Sequence, residues 1–430
     1  MFSIKIIRFI QKILFCLITI FITFAPLKSE RLSLKEIIKI QHLTVIILFF
    51  FLLSTANHAQ STGSSFINDT LQDHSQHKKE KKYNLYTQLK FDYGGIVESV
   101  RNNGIEDYFG IDLRMAWQKR KNDTYSALYK APKYGIGLYS GNFNNNDFGK
   151  PFGIYGFMDF PIRAFYNTQS RWNWFYTIGL GMAFNFNYYD PEENPGNELL
   201  GSAKNVYIAF SLEGRYDLSD HWVAGVGAGF KHFSNGRVHL PNRGVNLLPF
   251  TFLVQYNFDE TETDLQKVKL KFEPLNIIDI FIGVGNKNFE YGKSVYFKST
   301  IGLSYLQQRN YKFRYGGGME LFYTAGSLDR IEGDKSNFKK QFSYGVVGIW
   351  EWVLNERLYI PLNVGVHLNY NTENFEHRIY QRLGLRYLAG KQKNIITGVG
   401  LKVTEFHADY VEWTIGYSFK KDKNTYKLLF

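Results

Sequence analysis

The 430-residue chain has one cysteine, Cys16, which leaves no internal disulfide and no Cys-rich zinc site. Cys16 also lies in an N-terminal leader without small residues before it, which argues against a lipoprotein anchor. Methionine (5 residues) and alanine are scarce, and from Tyr83 onward no stretch carries a helical period. Long apolar runs are missing as well. Residues 13–26 (ILFCLITIFITFAP) and 45–53 (VIILFFFLL) are both too short for a spanning helix. No single element gathers the basic residues, so the net charge of +12 does not point to nucleic acid. Spread along the chain, Lys and Arg suit contact with anionic lipid or sugar phosphate. The histidines show no metal-ligand spacing, and neither a metal nor another cofactor is expected.

Aromatic residues and glycine are abundant: 38 Phe, 30 Tyr and 38 Gly. That mixture fits long strands with close backbone approach and rings at a membrane interface. Mean hydropathy is −0.27, a soluble value. However, half the residues of a transmembrane strand face a polar lumen, so the average misses this class. The second apolar run ends in STANHAQS, which places signal cleavage after Ala59. Residues 1–59 are therefore expected to be a leader for export, and 60–82 a flexible polar segment.

From Tyr83 onward, strand-like runs of about ten or more residues follow one another, long enough to cross a bilayer at a tilt. Eight fall within 83–260 and eight within 261–430; the ninth is expected near 266–284 and the fifteenth near 393–408. In 172–188 the even positions run from Trp172 through Ile178, Leu180 and Phe184 to Tyr188, and the odd ones are mostly Asn, Thr, Gly and Ala. Residues 358–370 repeat the pattern. One long apolar face with aromatic ends favours a membrane strand over a soluble one. Short links such as 217–222 contrast with long loops at 189–204 and 234–245, and the long ones are expected outside the cell. The fold class is thus all-β, an antiparallel transmembrane β-barrel.

The halves look related: VAGVGAGFKHFSNG (223–236) matches ITGVGLKVTEFHAD (396–409). Glycines facing the lumen suit the narrow bore of eight strands, so two tandem eight-stranded units are expected, with one barrel of about 16 strands as the alternative. Parity also organises the hairpin at 222–258. His232 and Ser234 share the even face at the outer end of the apolar stripe, and Asn246 joins them from the returning strand. All three then face lipid near the outer head groups. A serine hydroxyl needs a base, and a histidine two residues away on one face can reach it; a third group must fix the imidazole. Asn235, Asn242 and the loop amides are candidates for oxyanion donors. The counterpart in the second half, Phe406-His407-Ala408-Asp409, has no serine and reads as structural or lipid-binding, with His407 and Asp409 able to pair.

The segment HFSNGRVHLPNRGVN (232–246) resembles the signature of the lipid A 3-O-deacylase (PagL) and acyloxyacyl hydrolase-like barrel family. The internal repeat makes 261–430 a second, degenerate barrel-like half, and the resemblance implies an eight-stranded outer-membrane barrel over residues 83–260 and removal of an ester-linked acyl chain from lipid A in the outer leaflet. It implies Ser234 as nucleophile and His232 as base. The family's orienting acid falls on Asn246, a departure. Either Asn246 orients His232 as a neutral acceptor, or an acid comes from the neighbouring loop, Glu198 or Glu193. Glu213 is not expected to serve, because strand register takes it towards the far end. The competing expectation is a non-catalytic barrel, a pore or a scaffold for lipid or partner.

Overall fold

The computed structural model describes residues 82–96, 107–120, 123–259, 272–326, 338–374, 376–405 and 407–422. The expected leader, and all but the last residue of the polar segment, lie outside these. Among the described residues there are sixteen strands. The first eight are β1 (Tyr83–Ile96), β2 (Tyr108–Lys119), β3 (Lys133–Asn142), β4 (Gly149–Pro161), β5 (Trp172–Phe186), β6 (Asn205–Asp217), β7 (Trp222–Ser234) and β8 (Val245–Asn257). The second eight are β9 (Leu275–Asn288), β10 (Val295–Gln308), β11 (Phe313–Thr324), β12 (Phe342–Val353), β13 (Leu358–Asn369), β14 (Ile379–Ala389), β15 (Ile395–Thr404) and β16 (His407–Asp422). They form two closed antiparallel barrels, β1–β8 and β9–β16, which excludes the single barrel of about 16 strands. Closure runs through β1 with β8 and through β9 with β16.

Strand parity explains both surfaces. On β8, Leu248, Phe250, Phe252 and Val254 are exposed, while Leu247, Thr251 and Gln255 between them are buried. On β9, Ile278, Ile280, Ile282 and Val284 are exposed. An apolar band of this kind around both barrels is the surface a bilayer covers. Rings gather at the strand ends: Trp172 packs against Trp174 and Tyr216, and Tyr256 against Trp222 and Phe258. That is the position of an interfacial aromatic belt.

Both lumens are filled by ion pairs. In the first barrel Arg215 bonds Glu213 (2.6 Å) and Asp159 (2.8 Å), Lys90 bonds Glu213, and Lys231 bonds Asp92 and Asp112. Gly227 and Gly229 make the room, since a Cβ at 227 would lie 2.7 Å from Glu213 Cγ. In the second barrel Asp409 is held by Lys287, Lys298 and Lys402, and Arg382 by Glu320 and Glu412. Charges out of water persist only when paired like this. Part of the basic complement is therefore neutralised inside the barrels. Asp409 is also not paired with His407 as expected. The β15–β16 register shifts between Lys402 and Val403, and this bulge turns Asp409 into the lumen while His407 stays exposed.

The β2–β3 connection contains a short helix, α1 (Thr124–Tyr129), although no helical period was expected. Six residues are too few to display one. The Asp123 carboxylate caps it, accepting from Ser126 N at 2.7 Å. The Tyr129 hydroxyl of this helix donates to Val353 O of the second barrel (2.5 Å) and accepts from Trp352 Nε1 (2.8 Å). At the other end of the strands, Asn288 N of β9 donates to Arg237 O in the β7–β8 loop (2.9 Å). The barrels thus touch at both ends of the strands.

Candidate active site

His232 and Ser234 leave the outer face of β7, and Asn246 stands opposite His232 in the β7–β8 register. The side chains meet across the strands: His232 Nδ1 lies 2.6 Å from Asn246 Oδ1. An amide oxygen can only accept, so the Nδ1 proton points at it and base chemistry falls to Nε2.

The loop from 235 to 244 then shapes the surroundings of the hydroxyl. Asn235 Nδ2 donates to Ser202 Oγ (3.1 Å) and to His239 O (3.0 Å). The backbone N–H of Asn235 donates to Asn242 Oδ1 (3.1 Å), which turns Asn242 Nδ2 towards Ser234 Oγ at 2.9 Å. Gly236 N–H reaches the same oxygen at 3.1 Å. Ser234 Oγ is thereby seated between two N–H donors, and only 8% of the residue is exposed. The hydroxyl's hydrogen bonds go to Asn242 and Gly236 rather than to the His232 ring two residues away.

Two glycines are required here. Gly236 has φ +65, and a Cβ on it would lie 2.2 Å from Val411 Cγ2 of the second barrel. Gly244 has φ +81, and a Cβ there would lie 2.8 Å from His232 Cε1. Arg237 also has a positive φ (+70), and the bond from Asn288 N fixes its carbonyl. Burial in the loop lowers the Arg237 pKa, with the Asp409 carboxylate opposing that shift.

The acids divide clearly. Glu198 lies beside the site but pairs with Arg243 at 3.1 Å, both exposed. Glu193 belongs to a turn in which Asp190 Oδ1 accepts from the Glu192 and Glu193 backbone N–H groups, bonds that hold the Asp190 carboxyl below its usual range. Glu213 pairs with Gly227, well down β7 from Ser234 as expected from its register, and it also lies inside the lumen. Of the candidate orienting groups, Asn246 is the one bonded to His232 Nδ1.

A groove of about 1040 Å³ opens over these residues. His232, Ser234, Asn242 and Asn246 line one side, and Leu401, Val403, His407 and Ala408 of the second barrel line the other. From the sequence, the loop amides, Gly236 N–H among them, are candidate donors and the 406–409 segment is structural or lipid-binding, but the place of His407 and Ala408 across the groove from Ser234 is not legible there. Apart from His407, the far wall is formed by ordinary apolar residues some 170 positions away. The repeat alignment also needs a two-residue correction. Lys231 and Lys402 both point into the lumen, and each follows glycines two and four positions earlier (Gly229 and Gly227; Gly400 and Gly398). Matched on these lysines, Val403 stands where His232 does, and Ala408 opposes it as Asn246 opposes His232.

The lipid A 3-O-deacylase (PagL) family profile matches residues 110–255, and the profile of the acyloxyacyl hydrolase C-terminal domain matches residues 276–421. A search of the curated proteins found no match. Among solved structures, the chain is similar to Neisserial surface protein A, with 11% identity, 41% of this chain and 98% of that chain covered, and a TM-score of 0.27. It is also similar to the β domain of the Bordetella autotransporter BrkA, with 9% identity, 79% and 99% covered, and a TM-score of 0.22. The Pseudomonas putida toluene transporter TodX gives 10% identity, 80% and 89% covered, and a TM-score of 0.16. With one profile on each barrel, the chain belongs to the lipid A 3-O-deacylase (PagL) and acyloxyacyl hydrolase-like family of outer-membrane barrels.

Proposed function

We propose that the protein is a serine esterase of the outer membrane that removes an ester-linked acyl chain from lipid A or a related outer-leaflet lipid. Ser234 Oγ attacks the ester carbonyl as its proton passes to His232 Nε2. Asn246 keeps Nδ1 protonated and the ring in place. The developing oxyanion is met by the donors around the hydroxyl, Gly236 N–H and Asn242 Nδ2, with Asn235 holding the loop that aims them. The collapsing intermediate expels the sugar alcohol, which takes the proton from His232; water then releases the fatty acid by the same route. Residues 1–59 serve export and 60–82 form a polar spacer ahead of the catalytic barrel (83–260) and the degenerate one (261–430).

The observation that carries this reading is the His232–Asn246 hydrogen bond beside a serine oxygen seated among N–H donors, all on a lipid-facing surface. A water-soluble substrate would gain nothing from that placement, whereas an ester in a bilayer lipid lies at that depth. The pore alternative has no support in lumens crossed by buried ion pairs. Mass spectrometry of lipid A from cells with and without the protein is the test. Loss of one acyl chain that depends on Ser234 is expected; unchanged acylation, or equal activity in Ser234→Ala, ends the catalytic claim.

A further inference from the structure

The groove at the candidate site is shared by two barrels, and its two walls differ in chemistry. The near wall has His232, Ser234 and Asn246. On the far wall the matching strand positions hold Val403 and Ala408, with Leu401 beside them. The second barrel has therefore kept the strand pair with apolar side chains at the positions of His232 and Asn246, and His407 is the polar member of this wall. We propose that this β15–β16 face binds the acyl chain of the lipid being hydrolysed, so that the second barrel sets chain selectivity for the first. The proposal rests on the esterase reading for the identity of the bound lipid.

Four features support a fixed apolar wall as opposed to an incidental contact. First, the wall is held in register with the serine: Asn288 N bonds Arg237 O, and Val411 lies where a side chain on Gly236 would go. Secondly, α1 ties the opposite end through Tyr129, Val353 and Trp352, so the barrels cannot swing apart about the loop contact alone. Thirdly, Val403 and Ala408 lie on the outer face of their barrel, whereas Lys402 and Asp409 beside them turn into the lumen. Lastly, the volume of about 1040 Å³ is at the upper end of ligand sites. A chain lying there gains from apolar contact along its length. Arg243, Tyr189 and Tyr291 also border the groove, a polar edge suited to the head group. Ala408 is the position where added bulk enters the groove without disturbing the lumen, so it is the specificity residue we assign.

Two readouts test this. In the first, Ser234→Ala protein is reconstituted in vesicles holding a long-chain lipid with a photoactivatable diazirine in its acyl chain. Labelling is mapped by peptide and needs no hydrolysis. Residues 401–408 should label several-fold above the lipid-exposed face at 248–254, and Ala408→Trp should remove that excess. In the second, otherwise native protein and its Ala408→Trp variant are given a long-chain ester and a four-carbon p-nitrophenyl ester. The variant should lose roughly tenfold or more on the long substrate relative to the short one, the scale of discrimination by bulk in an apolar pocket. Uniform labelling across both faces, or an unchanged selectivity ratio in an active enzyme, overturns the wall. Excess labelling at 401–408 in a protein that hydrolyses neither ester upholds the wall and sinks the esterase.

Discussion

Replacing Asn246 with aspartate should make the enzyme faster. Aspartate has the same length and shape, so the 2.6 Å approach to His232 Nδ1 is kept while the acceptor becomes charged. In the ground state the ring is neutral and the gain is small. In the transition state the imidazole carries the serine's proton, and its Nδ1–H faces an anion instead of an amide oxygen. A neutral hydrogen bond is worth about 0.5–1.5 kcal/mol and one to a charged group about 1.5–3, a difference of about 1–2 kcal/mol. At about 1.36 kcal/mol per decade, the rate rises roughly 5- to 30-fold. Asn246→Leu removes the acceptor, and the loss approaches the general-base contribution, roughly 10²- to 10⁴-fold. Initial rates of fatty-acid release from lipid A in mixed micelles, read by mass spectrometry with Ser234→Ala as the blank, measure both. An aspartate variant no faster than the native enzyme, together with a leucine variant of native rate, would refute the role of Asn246. If Glu198→Gln abolished activity at the same time, the orienting role would move to Glu198, despite its pairing with Arg243.

Gly236→Ala should leave both barrels folded but displace an N–H donor from Ser234, because φ +65 and the contact with Val411 both oppose a Cβ; kcat in the micelle assay should fall roughly 10²- to 10³-fold. Lys231→Met leaves Asp92 and Asp112 without their shared cation inside the lumen, at a cost of about 3–5 kcal/mol. The urea midpoint of the folded gel band, which migrates separately from the unfolded chain, should fall accordingly; an unmoved midpoint would mean that the cluster is not structural. In planar bilayers the protein should show no steady conductance, since each eight-stranded lumen is filled by side chains; open-channel steps would contradict the closed interiors.

The barrels were legible because the lipid and lumen faces alternate within a single strand, and a period of two needs no partner to be seen. The same parity brought His232, Ser234 and Asn246 onto one surface, and the hairpin register then set the bond between the first and last of them. Contacts between distant segments were not legible. Lys231 of β7 meets Asp92 of β1 across the single intervening strand β8, although 139 positions separate them in the chain, and neither residue shows this in its own neighbourhood. The apparent repeat rested on the shared Gly-Val-Gly triplet (225–227 and 398–400), two positions off the lysine match, which hid Val403 as the counterpart of His232. The ninth strand begins at Leu275, beyond the expected 266; residues 260–271 lie outside the described ones. Among the candidate loop amides, the sequence could not single out Gly236 N–H, because that choice depends on where the loop places Ser234.

The lumen ion pairs also constrain assembly. Lys231 of β7 is neutralised by Asp92 of β1, and Lys287 of β9 by Asp409 of β16. An incomplete sheet in the bilayer would leave these charges unmatched in hydrocarbon, so each barrel has little to gain from inserting strand by strand. Closure and insertion then become one event per barrel. The chain is expected to wait as an unfolded, membrane-excluded species until its first and last strands meet. Folding into vesicles, followed by pulse proteolysis, should yield only fully protected or fully digested barrels; a stable protected fragment ending within a barrel would count against concerted closure.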